Sequence, residues 1–306
     1  MNKLIVLGSV NADHVLRVPS PCRPGETLHG RGYQVVGGGK GANQAVAAAR
    51  LRADVGFIAC VGSDLFGVNI REKFRMDGVE ITGLRVCPNS LTGVAMIQVA
   101  DDGENSICIS AEANSQLTAS TIQTDLERIR KADYLLMQLE TPICGIERAA
   151  RVAKESCTSV VLNPGPASEL SNELLACVDV ITPNETEAET LTSITIVDDE
   201  SAQRSADSLH ERGIGTVIIT LGSKGVWLSQ NGRGKIIPSF HVEAVDTTAA
   251  GDTFNGALVT GLLEGSPLEK AIQFAHAAAA VSVTRFGAQD SIPARQEVEE
   301  FRDRHR

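Results

Sequence analysis

Apolar positions in this chain fall into short runs that alternate with segments of helical periodicity. The runs lie at residues 4–8, 55–61, 134–138, 160–162, 178–182 and 217–221. Patterns with helical spacing lie between them at 42–51, 143–154 and 202–212. Strands that are buried on both faces of a parallel sheet show such uninterrupted apolar runs. The alternation therefore predicts an α/β fold, a doubly wound, mainly parallel sheet with helices on both faces.

Two regions, about 12–36 and 91–110, break this alternation because they contain strand patterns without helices between them. Their strand patterns lie at 15–18, 93–99 and 106–109. Asp-Asp-Gly-Glu-Asn at 101–105 has the residue types of a hairpin turn. We expect a small antiparallel sheet that stands off the main body as a lid within a single domain, residues 1–306. One apolar face of such a sheet needs cover, either from a substrate or from a second copy of the chain, and we expect a homodimer formed through the lid.

Composition narrows the possible functions. The net charge of −10 over 306 residues makes a nucleic-acid partner a poor expectation. No apolar run approaches the roughly 18 residues of a membrane span, and the N-terminal run is too short for a signal peptide. The seven cysteines form no C-x-x-C pair, so they indicate neither a zinc site nor a disulfide framework. These features predict a cytoplasmic protein.

The segment 246–256, Asp-Thr-Thr-Ala-Ala-Gly-Asp-Thr-Phe-Asn-Gly, leads into an apolar run that predicts a buried helix. The first N–H groups of a helix have no intrahelical partner and lie at the positive end of its dipole. Small residues let an anion approach them, which makes Ala249, Ala250 and Gly251 a candidate anion hole. Asp252 is placed beside it to take a proton from a hydroxyl group, so phosphoryl transfer to an alcohol is favoured. Alternatively, Asp252 is only a carboxylate of the kind common at helix starts.

Polar residues after two predicted strands are candidates for binding that alcohol. Ligands of doubly wound sheets bind at the carboxyl ends of the strands, where Asn11 and Asp13 offer an amide and a carboxylate. Both residues are equally suited to shaping a turn. Glu140 follows the strand predicted at 134–138 and offers another acceptor for a sugar hydroxyl.

A glycine-rich segment at 37–41 opens the helix predicted at 42–51. Its glycines let the backbone pass close to a ligand, and Lys40 and Asn43 offer donors to hydroxyl groups. It is not a P-loop, because Gly41 stands where a Ser or Thr would follow the lysine. It is also a poor dinucleotide fingerprint, since it does not follow the first core strand.

Three later segments are candidates for binding a nucleotide. Asn184 and Glu187 have the spacing of a capping box, and the same side chains suit phosphates and a hydrated Mg²⁺. The turn 220–225 joins two strands and leaves backbone groups open to phosphates or ribose. His276 lies on a helix whose alanine-rich face, 275–280, is small enough for adenine, although such a histidine is more often structural.

Three of these segments together resemble a known family. The chain reads Gly-Gly-Lys-Gly-Ala-Asn-Gln-Ala at 38–45 and Thr-Pro-Asn-Glu-Thr-Glu at 182–187, in addition to the 246–256 segment. These motifs resemble the ribokinase family of carbohydrate kinases, and the likeness runs in order along almost the whole chain. The opening 8–13 and the closing 283–289 are similar to the ribokinase branch more than to adenosine kinases or phosphofructokinases. The glycine cluster is one residue longer than the family pattern.

The resemblance implies ATP-dependent phosphorylation of D-ribose at O5, giving ribose 5-phosphate and ADP, with Mg²⁺ and an activating monovalent cation, typically K⁺. It implies Asp252 as the general base beside an anion hole of Ala249, Ala250 and Gly251. The implied sugar contacts are Asn11, Ala12, Asp13, Gly38, Gly39, Lys40, Gly41, Asn43, Glu140 and Asp252. The implied ATP contacts are Asn184, Glu187, Thr220, Leu221, Gly222, Ser223, Lys224, Gly225, Gly251, Asp252 and His276. The implied cation ligands, several of them through backbone carbonyls, are Asp246, Thr248, Ser282, Arg285, Gly287 and Ser291.

Other functions remain open from the sequence. Deoxyribose, fructose or a nucleoside are alternative acceptors, although a nucleoside favours aromatic stacking and the chain has one Trp and two Tyr. A phosphorylated sugar would need cations near the lid, for which Arg17, Arg23 and Arg31 are candidates. A catalytically silent sugar- or nucleotide-binding regulator would be expected to lack Gly251 or Asp252, and both are present.

Overall fold

A nine-stranded sheet forms the centre of the computed structural model, which describes residues 3–101 and 105–305. Strands and helices are numbered in chain order, and the strands of this sheet are β1 (Lys3–Leu7), β4 (Asp54–Gly62), β5 (Leu84–Cys87), β8 (Tyr134–Met137), β9 (Ser159–Leu162), β10 (Val180–Ile181), β11 (Thr216–Thr220), β12 (Val226–Gln230) and β13 (Arg233–Ile237). Their order is β13-β12-β11-β10-β9-β8-β1-β4-β5. All neighbours pair in parallel except β11–β12 and β12–β13, which are antiparallel. The mainly parallel sheet is therefore confirmed.

Helices cover both faces of this sheet. They are α1 (Lys40–Arg50), α2 (Leu65–Met76), α3 (Leu126–Arg130), α4 (Ile143–Glu155), α5 (Asn172–Leu175), α6 (Glu185–Thr192), α7 (Asp199–Glu211), α8 (Ala250–Leu263), α9 (Leu268–Ser282) and α10 (Arg295–Arg304). Alternate residues of β1 belong to different cores: Leu4 clusters with residues of α1, and Ile5 with residues of α4. Fully apolar strands are thus explained by burial on both faces, as a doubly wound sheet requires.

The helix predicted after residue 249 is α8, and it is buried almost all round. It packs between α1 and α9, so its apolar residues have partners on several sides. Gly256 permits the contact with α1, because a Cβ there would lie 2.7 Å from both Ala47 Cβ and the Gln44 carbonyl oxygen. The close approach of these two helices brings the first turn of α1 against the first turn of α8.

A second, four-stranded sheet stands beside the first. It consists of β2 (Asn11–Val18), β3 (Arg31–Gly38), β6 (Gly93–Ala100) and β7 (Asn105–Ser110), in the order β3-β2-β6-β7. The pairs β2–β3 and β6–β7 are antiparallel as expected, whereas β2 and β6 pair in parallel. The parallel pair arises because β2 and β6 follow β1 and β5, two strands that run in the same direction in the main sheet. We call this sheet the lid; its predicted turn at 101–105 includes 102–104, which lie outside the described residues.

Some element boundaries differ from the expectations. The apolar run 178–182 contributes only the two residues Val180–Ile181 to the sheet. Asn11 and Asp13 do not lie in a loop or turn after β1; they belong to the lid strand β2. In the part of the chain that the structure describes, no helix combines the length and apolar character needed to cross a membrane.

Candidate active site

Asp252 lies in the first turn of α8, and two side-chain amides from α1 hold its carboxylate. Asn43 Nδ2 donates to Asp252 Oδ2 at 2.9 Å, and Gln44 Nε2 donates to Asp252 Oδ1 at 3.0 Å. All three side chains are buried, with Asp252 only 6% exposed. Each carboxylate oxygen thus accepts a hydrogen bond from a buried amide, which fixes the orientation of the carboxylate. A mere helix-start carboxylate has no need of two buried donors from another helix.

The backbone at the start of α8 leaves N–H groups open. Ala249 adopts a left-handed conformation, with φ 57°, and has no side-chain cap. The Ala250 N–H donates to the Thr247 carbonyl oxygen at 3.2 Å, so this predicted anion-hole donor is already used within the turn. Among the described residues, no hydrogen-bond partner is found for the N–H groups of Gly251 and Asp252. These two amides, at the positive end of the helix dipole, are suited to an anion.

The lid strand β2 brings Asn11 and Asp13 to the same place. Asn11 Oδ1 accepts from Asn114 Nδ2 at 2.8 Å, which leaves the Asn11 amide nitrogen free to donate to a ligand. Asp13 is buried, and its Oδ1 has no hydrogen-bond partner. Gly38 on β3 makes room for this carboxylate, since a Cβ there would lie 1.9 Å from Asp13 Oδ2. An unpartnered buried acceptor of this kind indicates a place for a hydroxyl donor.

Glu140 joins the end of β8 to the start of α1. Its Oε2 accepts from Ser9 Oγ at 2.5 Å and from the Lys40 backbone N–H at 2.9 Å. One carboxylate oxygen is therefore used to fix the glycine-rich segment, and the other remains available to a ligand. Glu140 has a structural role in addition to the predicted binding role.

Three carboxylates, Asp252, Glu140 and Glu187, act on the charge of Lys40, and a fourth, Asp13, lies close to two of them. Burial, Glu140 and Asp252 together raise the pKa of Asp13 from 3.8 to about 7. The pKa of Lys40 is raised by Asp252 most of all, with Glu140 and Glu187 adding to the effect and burial opposing it. Burial also raises the pKa of Glu187, against the hydrogen bond from Asn184 N–H and the charge of Lys40. Lys40 therefore stays charged, and the acidic surroundings suit neutral, hydroxyl-bearing ligands.

The capping box predicted at the start of α6 is present. Asn184 Oδ1 accepts from the Glu187 N–H at 2.8 Å, and Glu187 Oε2 accepts from the Asn184 N–H at 2.9 Å. Glu187 Oε1 reaches Gly165, where Lys40 also lies close, so the box faces the same site. The capping role and a role towards phosphates are compatible, because capping uses Asn184 Oδ1 and Glu187 Oε2 and leaves the Asn184 amide nitrogen and Glu187 Oε1.

The turn after β11 is a short helical turn, Gly222–Lys224, and it lies beside α6. The Thr220 N–H donates to the Pro183 carbonyl oxygen at 2.8 Å, which ties the two segments together. Ser223 and Lys224 are exposed, as a nucleotide contact requires, whereas the Leu221 side chain belongs to the core. Only the backbone of Leu221 is available to a ligand, so its predicted contact is limited to the main chain.

His276 lies on α9 and packs on the ring of Phe254, with centroids 5.4 Å apart. Burial lowers the pKa of His276 to about 4, against a smaller opposing effect of the Pro238 carbonyl, so the ring is neutral near pH 7. The expectation that the alanine-rich face of α9 accepts adenine is wrong in large part, because Ala275, Ala277, Ala278 and Ala280 lie in the core. The pattern was ambiguous because small residues suit both a flat ligand and close helix packing.

Two of the predicted cation ligands, Thr248 and Gly287, contact a third, Asp246. Asp246 Oδ1 accepts from Thr248 Oγ1 at 2.6 Å, and Oδ2 accepts from the Gly287 N–H at 2.9 Å. Burial acts to raise the pKa of Asp246, but the bonds from Thr248 and Gly287 outweigh it and hold the pKa below its usual range. The group offers one carboxylate and further oxygen atoms, a donor set that fits a hard monovalent cation.

The remaining three predicted ligands offer main-chain or hydroxyl oxygens. Ser282 Oγ donates to the Ala279 carbonyl at 2.9 Å and Ser291 Oγ to the Ala288 carbonyl at 2.8 Å. The Arg285 guanidinium pairs with Glu297 at 2.5 Å, so only its backbone is suited to a cation.

A cavity of about 450 Å³ opens between the lid and the segment that precedes α8. Asp13 lines one part of it, and Arg17, Arg31 and Phe286 line another. Arg31 pairs with Asp101 at 2.7 Å, and the Arg17 guanidinium lies over the Phe286 ring at 4.9 Å. Two of the three cations considered for a phosphorylated sugar therefore face this cavity but already have partners.

Sequence reasoning missed five polar side chains of the site, Ser9, Gln44, Asn114, Gln138 and Asn163. Two of them could have been found, because Gln138 and Asn163 each follow a buried apolar strand, where parallel sheets place their ligands. Asn114 gave no such signal, since it lies in a short 3₁₀ helix, Glu112–Gln116, far along the chain from Asn11.

Comparison with known proteins gives consistent matches over nearly the full chain. A family model described as pfkB family carbohydrate kinase matches residues 1–295. A ribokinase from Haemophilus influenzae is 54% identical over 298 residues, which are 97% of this chain and 97% of that protein. A ribokinase from Staphylococcus aureus is 41% identical over 299 residues, 97% of this chain and 98% of that protein. The structure of Arabidopsis thaliana ribokinase complexed with ribose and ATP aligns with a TM-score of 0.92 at 34% identity, covering 98% of this chain and 99% of that one.

Proposed function

The chain belongs to the pfkB family of carbohydrate kinases, and we propose that it transfers the γ-phosphoryl group of ATP to O5 of D-ribose. The products are ribose 5-phosphate and ADP. One observation carries the reaction type: a buried carboxylate, Asp252, is held by two amides beside open N–H groups at a helix start. The ribokinase relatives support ribose as the acceptor. As a family member, the protein is an ATP-dependent carbohydrate kinase.

Asp252 acts as the general base of this reaction. It takes the proton of the acceptor hydroxyl while that oxygen bonds to the γ-phosphorus, and the bond from the γ-phosphorus to the bridging oxygen of ADP breaks. Asn43 and Gln44 keep the carboxylate oriented for this transfer. A base positioned in this way contributes about 10²- to 10⁴-fold to the rate.

The amides of Gly251 and Asp252 stabilise the transferring phosphoryl group. Its negative charge spreads over the equatorial oxygens in an in-line transfer, and preformed N–H donors need no reorganisation to meet it. Ala249 and Ala250 keep the approach free of side chains. Lys40 adds positive charge near Asp252, supported by its raised pKa.

The acceptor pocket reads hydroxyl groups. Asn11 offers a donor, Asp13 offers unpartnered carboxylate oxygens, and Glu140 offers its remaining oxygen. The other proposed sugar contacts, mostly through backbone atoms, are Ala12, Gly38, Gly39, Lys40, Gly41 and Asn43. A furanose with several hydroxyls satisfies such a pocket, whereas a sugar lacking one leaves a buried polar group unpaired.

In this proposal, the nucleotide lies across the segments 184–187 and 220–225, and His276 contacts its adenine. Asn184 would contact the phosphates, and Glu187 would face a hydrated Mg²⁺, which prefers water with one or two carboxylates and would supply charge neutralisation. The oxygen group around Asp246 and Thr248 would hold K⁺. Its positive charge would support the turn that carries the anion hole.

A homodimer formed through the lid is part of the proposal. His14, Val35 and Met96 stand opposite one another in the lid register and therefore share one face. Tyr33 hydrogen-bonds to His14 at 2.7 Å, and the Tyr33 and Met96 side chains are 60% and 57% exposed. Light scattering should give twice the chain mass for wild type and the chain mass for Met96→Glu. Met76→Glu is the control, because the Met76 side chain on α2 is also exposed but lies outside the lid. A monomeric wild type would refute the dimer.

We also propose a cytoplasmic location. All seven cysteines are unpaired in the structure, including the buried Cys60 and Cys87. Thiols that persist unpaired favour a reducing compartment. Fractionation of cells with a compartment marker tests this, and recovery in a secreted fraction would contradict it.

The function is tested by an ADP-release assay with ribose, deoxyribose, fructose and adenosine, each with and without K⁺. Ribose should give the highest kcat/KM, and a higher value for another acceptor would overturn the substrate assignment. Asp252→Asn should lower kcat by about 10²- to 10⁴-fold. Asp199→Asn is the matched control, because Asp199 is an exposed carboxylate in the first turn of α7.

Asp252→Asn also has a structural cost that the sequence did not reveal. An asparagine has one acceptor oxygen, so its NH₂ group must face either the Asn43 or the Gln44 donor. Such a mismatch in a buried site costs about 1–3 kcal/mol. A fall in kcat with retained folding and ribose affinity supports the role of Asp252, whereas near wild-type kcat would exclude it.

A further inference from the structure

A chain of buried side-chain amides leads from Asp252 to the ends of two strands of the main sheet. Gln138 Nε2 donates to Gln44 Oε1 at 2.6 Å, and Gln44 Nε2 donates to Asp252 Oδ1 at 3.0 Å. Gln44 Nε2 also donates to Asn163 Oδ1 at 3.0 Å. Gln44 and Gln138 are 0% and 1% exposed, so water does not compete for these groups.

The contacts of Gln44 determine which way its amide points. Gln138 supplies a donor to Oε1, and both N–H bonds of Nε2 are used by Asp252 and Asn163. The reverse orientation would set the Gln44 carbonyl oxygen against the carboxylate of Asp252 and the carbonyl oxygen of Asn163. Two oxygen acceptors in contact repel each other, so a single orientation satisfies the oxygen and both N–H bonds of the Gln44 amide.

The far end of the chain is anchored to the main sheet. Asn163 follows β9, and its Nδ2 donates to the Thr182 carbonyl oxygen at 3.1 Å, which fixes the Asn163 amide in turn. Gln138 follows β8, which is the neighbour of β9 in the sheet. The direction of the Gln44 amide is therefore set by the carboxyl ends of two core strands, which are rigid parts of the fold.

We propose that Gln44 is a positioning residue for Asp252 and that Gln138 fixes the orientation of Gln44. This inference rests on the proposed role of Asp252 as the general base. The N–H of Gln44 holds Asp252 Oδ1 in place and stabilises the ionised carboxylate through a hydrogen bond. The amide does not transfer its proton to the carboxylate, so Asp252 can still act as a base. The carboxylate therefore reaches the acceptor hydroxyl in one plane and in its basic form.

Charged groups that face Asp252 from other elements are Asp13 on β2, Lys40 on α1 and Glu187 on α6. Among the described residues, the hydrogen bonds of the Gln44 side chain go to Asp252, Asn163 and Gln138 and not to these three groups, so substitutions at Gln44 leave these charges in place. A change in the pH profile of a Gln44 variant then reports on Asp252 and its lost donor.

The test compares Gln44→Leu, Gln44→Glu and Gln138→Leu with wild type in steady-state kinetics across pH, using the best acceptor of the wild type. Gln44→Leu should lower kcat by about 10- to 100-fold with little change in ribose KM, because the donor acts on the base and not on the sugar. The acidic limb of its kcat profile should move up by about one pH unit. Gln44→Glu should show a larger shift, since it places a second carboxylate against Asp252.

Gln138→Leu removes the donor to Gln44 Oε1 but does not remove the Gln44 N–H group that bonds to Asp252. The Gln44 amide can then also rotate into the reverse orientation. It should lower kcat by about 3- to 10-fold and move the acidic limb in the same direction. If the Gln44 variants do not fold, this remote variant decides the question. Thr158→Val is the stability control, because it removes a buried hydroxyl bonded to the Ile129 and Ala132 carbonyls, far from the site.

Several outcomes would overturn the inference. Folded Gln44 variants with wild-type kcat and an unmoved acidic limb would make Gln44 a structural residue only. A raised ribose KM with unchanged kcat would place it in substrate binding. Failure of the proposed function is seen separately, because it shows in the acceptor preference of the wild type. The inference about Gln44 concerns changes in the variants relative to the wild type, and these can be measured on any acceptor with a primary hydroxyl.

Discussion

Asp13→Asn measures the electrostatic cost of building the acceptor pocket. Burial, Glu140 and Asp252 raise the pKa of Asp13 to about 7, whereas the ordinary value is 3.8. The native state therefore holds this proton more tightly than the unfolded chain does. For a carboxyl whose pKa is raised on folding, the stabilising contribution is complete below the unfolded pKa and is lost as pH rises through the folded pKa.

The size of the effect follows from this pKa. At about 1.4 kcal/mol per pKa unit, the protein should lose roughly 2–3 kcal/mol of stability between pH 5 and pH 8 through Asp13. The asparagine that replaces Asp13 has nearly the same shape and does not ionise, so the variant escapes this loss. Its sugar affinity should fall at the same time, because the acceptor for a hydroxyl is altered.

Urea denaturation without ligands checks this prediction. The free energy of unfolding is measured for wild type and Asp13→Asn at pH 5 and pH 8. The difference between the two proteins should grow by roughly 2–3 kcal/mol in favour of the variant at the higher pH. Asp199→Asn, at an exposed position on α7, controls for general effects of charge. Parallel pH dependence in wild type and Asp13→Asn would refute the electrostatic reasoning.

Two further predictions concern the phosphate and cation sites. Gly251→Ala should keep wild-type stability, because a Cβ there meets no protein atom within 4 Å, and should lower kcat/KM for ATP at least tenfold by filling the anion site. Gly41→Ala is the contrasting variant and should lower the melting temperature, since its Cβ would lie 2.5 Å from the Ser9 nitrogen. Unchanged ATP kinetics in Gly251→Ala would argue against the anion hole. Asp246→Ala should abolish activation by K⁺ and leave the K⁺-free rate within about twofold, because the anion that holds the cation is gone. A K⁺ titration of kcat checks this, and a normal activation curve would place the cation elsewhere.

Local patterns predicted most of the fold. Apolar runs located six core strands, because strands buried on both faces cannot carry polar residues. The small residues before Asp252 predicted an open helix start, since only a backbone without bulky neighbours exposes its N–H groups. These features depend on residues close together in the chain, and such features are readable from one sequence.

Contacts between distant segments were not predictable in the same way. Gln44 meets Asp252 across 208 positions of sequence, and Asn114 meets Asn11 across 103. Nothing local marks either pair, because a buried amide has no periodic pattern of its own. The alanine-rich face of α9 was misread for a related reason: side-chain size alone does not tell which surface a helix packs against.

The order of the site residues along the chain has a consequence for synthesis on the ribosome. The proposed sugar contacts other than Asp252 all lie before residue 141, whereas Asp252 is contributed by α8, near the C-terminus. A nascent chain that has not yet released α8 therefore contains these proposed sugar contacts without the proposed base, and Asn43 and Gln44 face no carboxylate. Docking of α8 against α1 brings the two parts of the proposed site together, and α9 and α10 then add to the same core cluster. In this proposal, catalytic competence depends on segments of the chain that are synthesised after the sugar contacts.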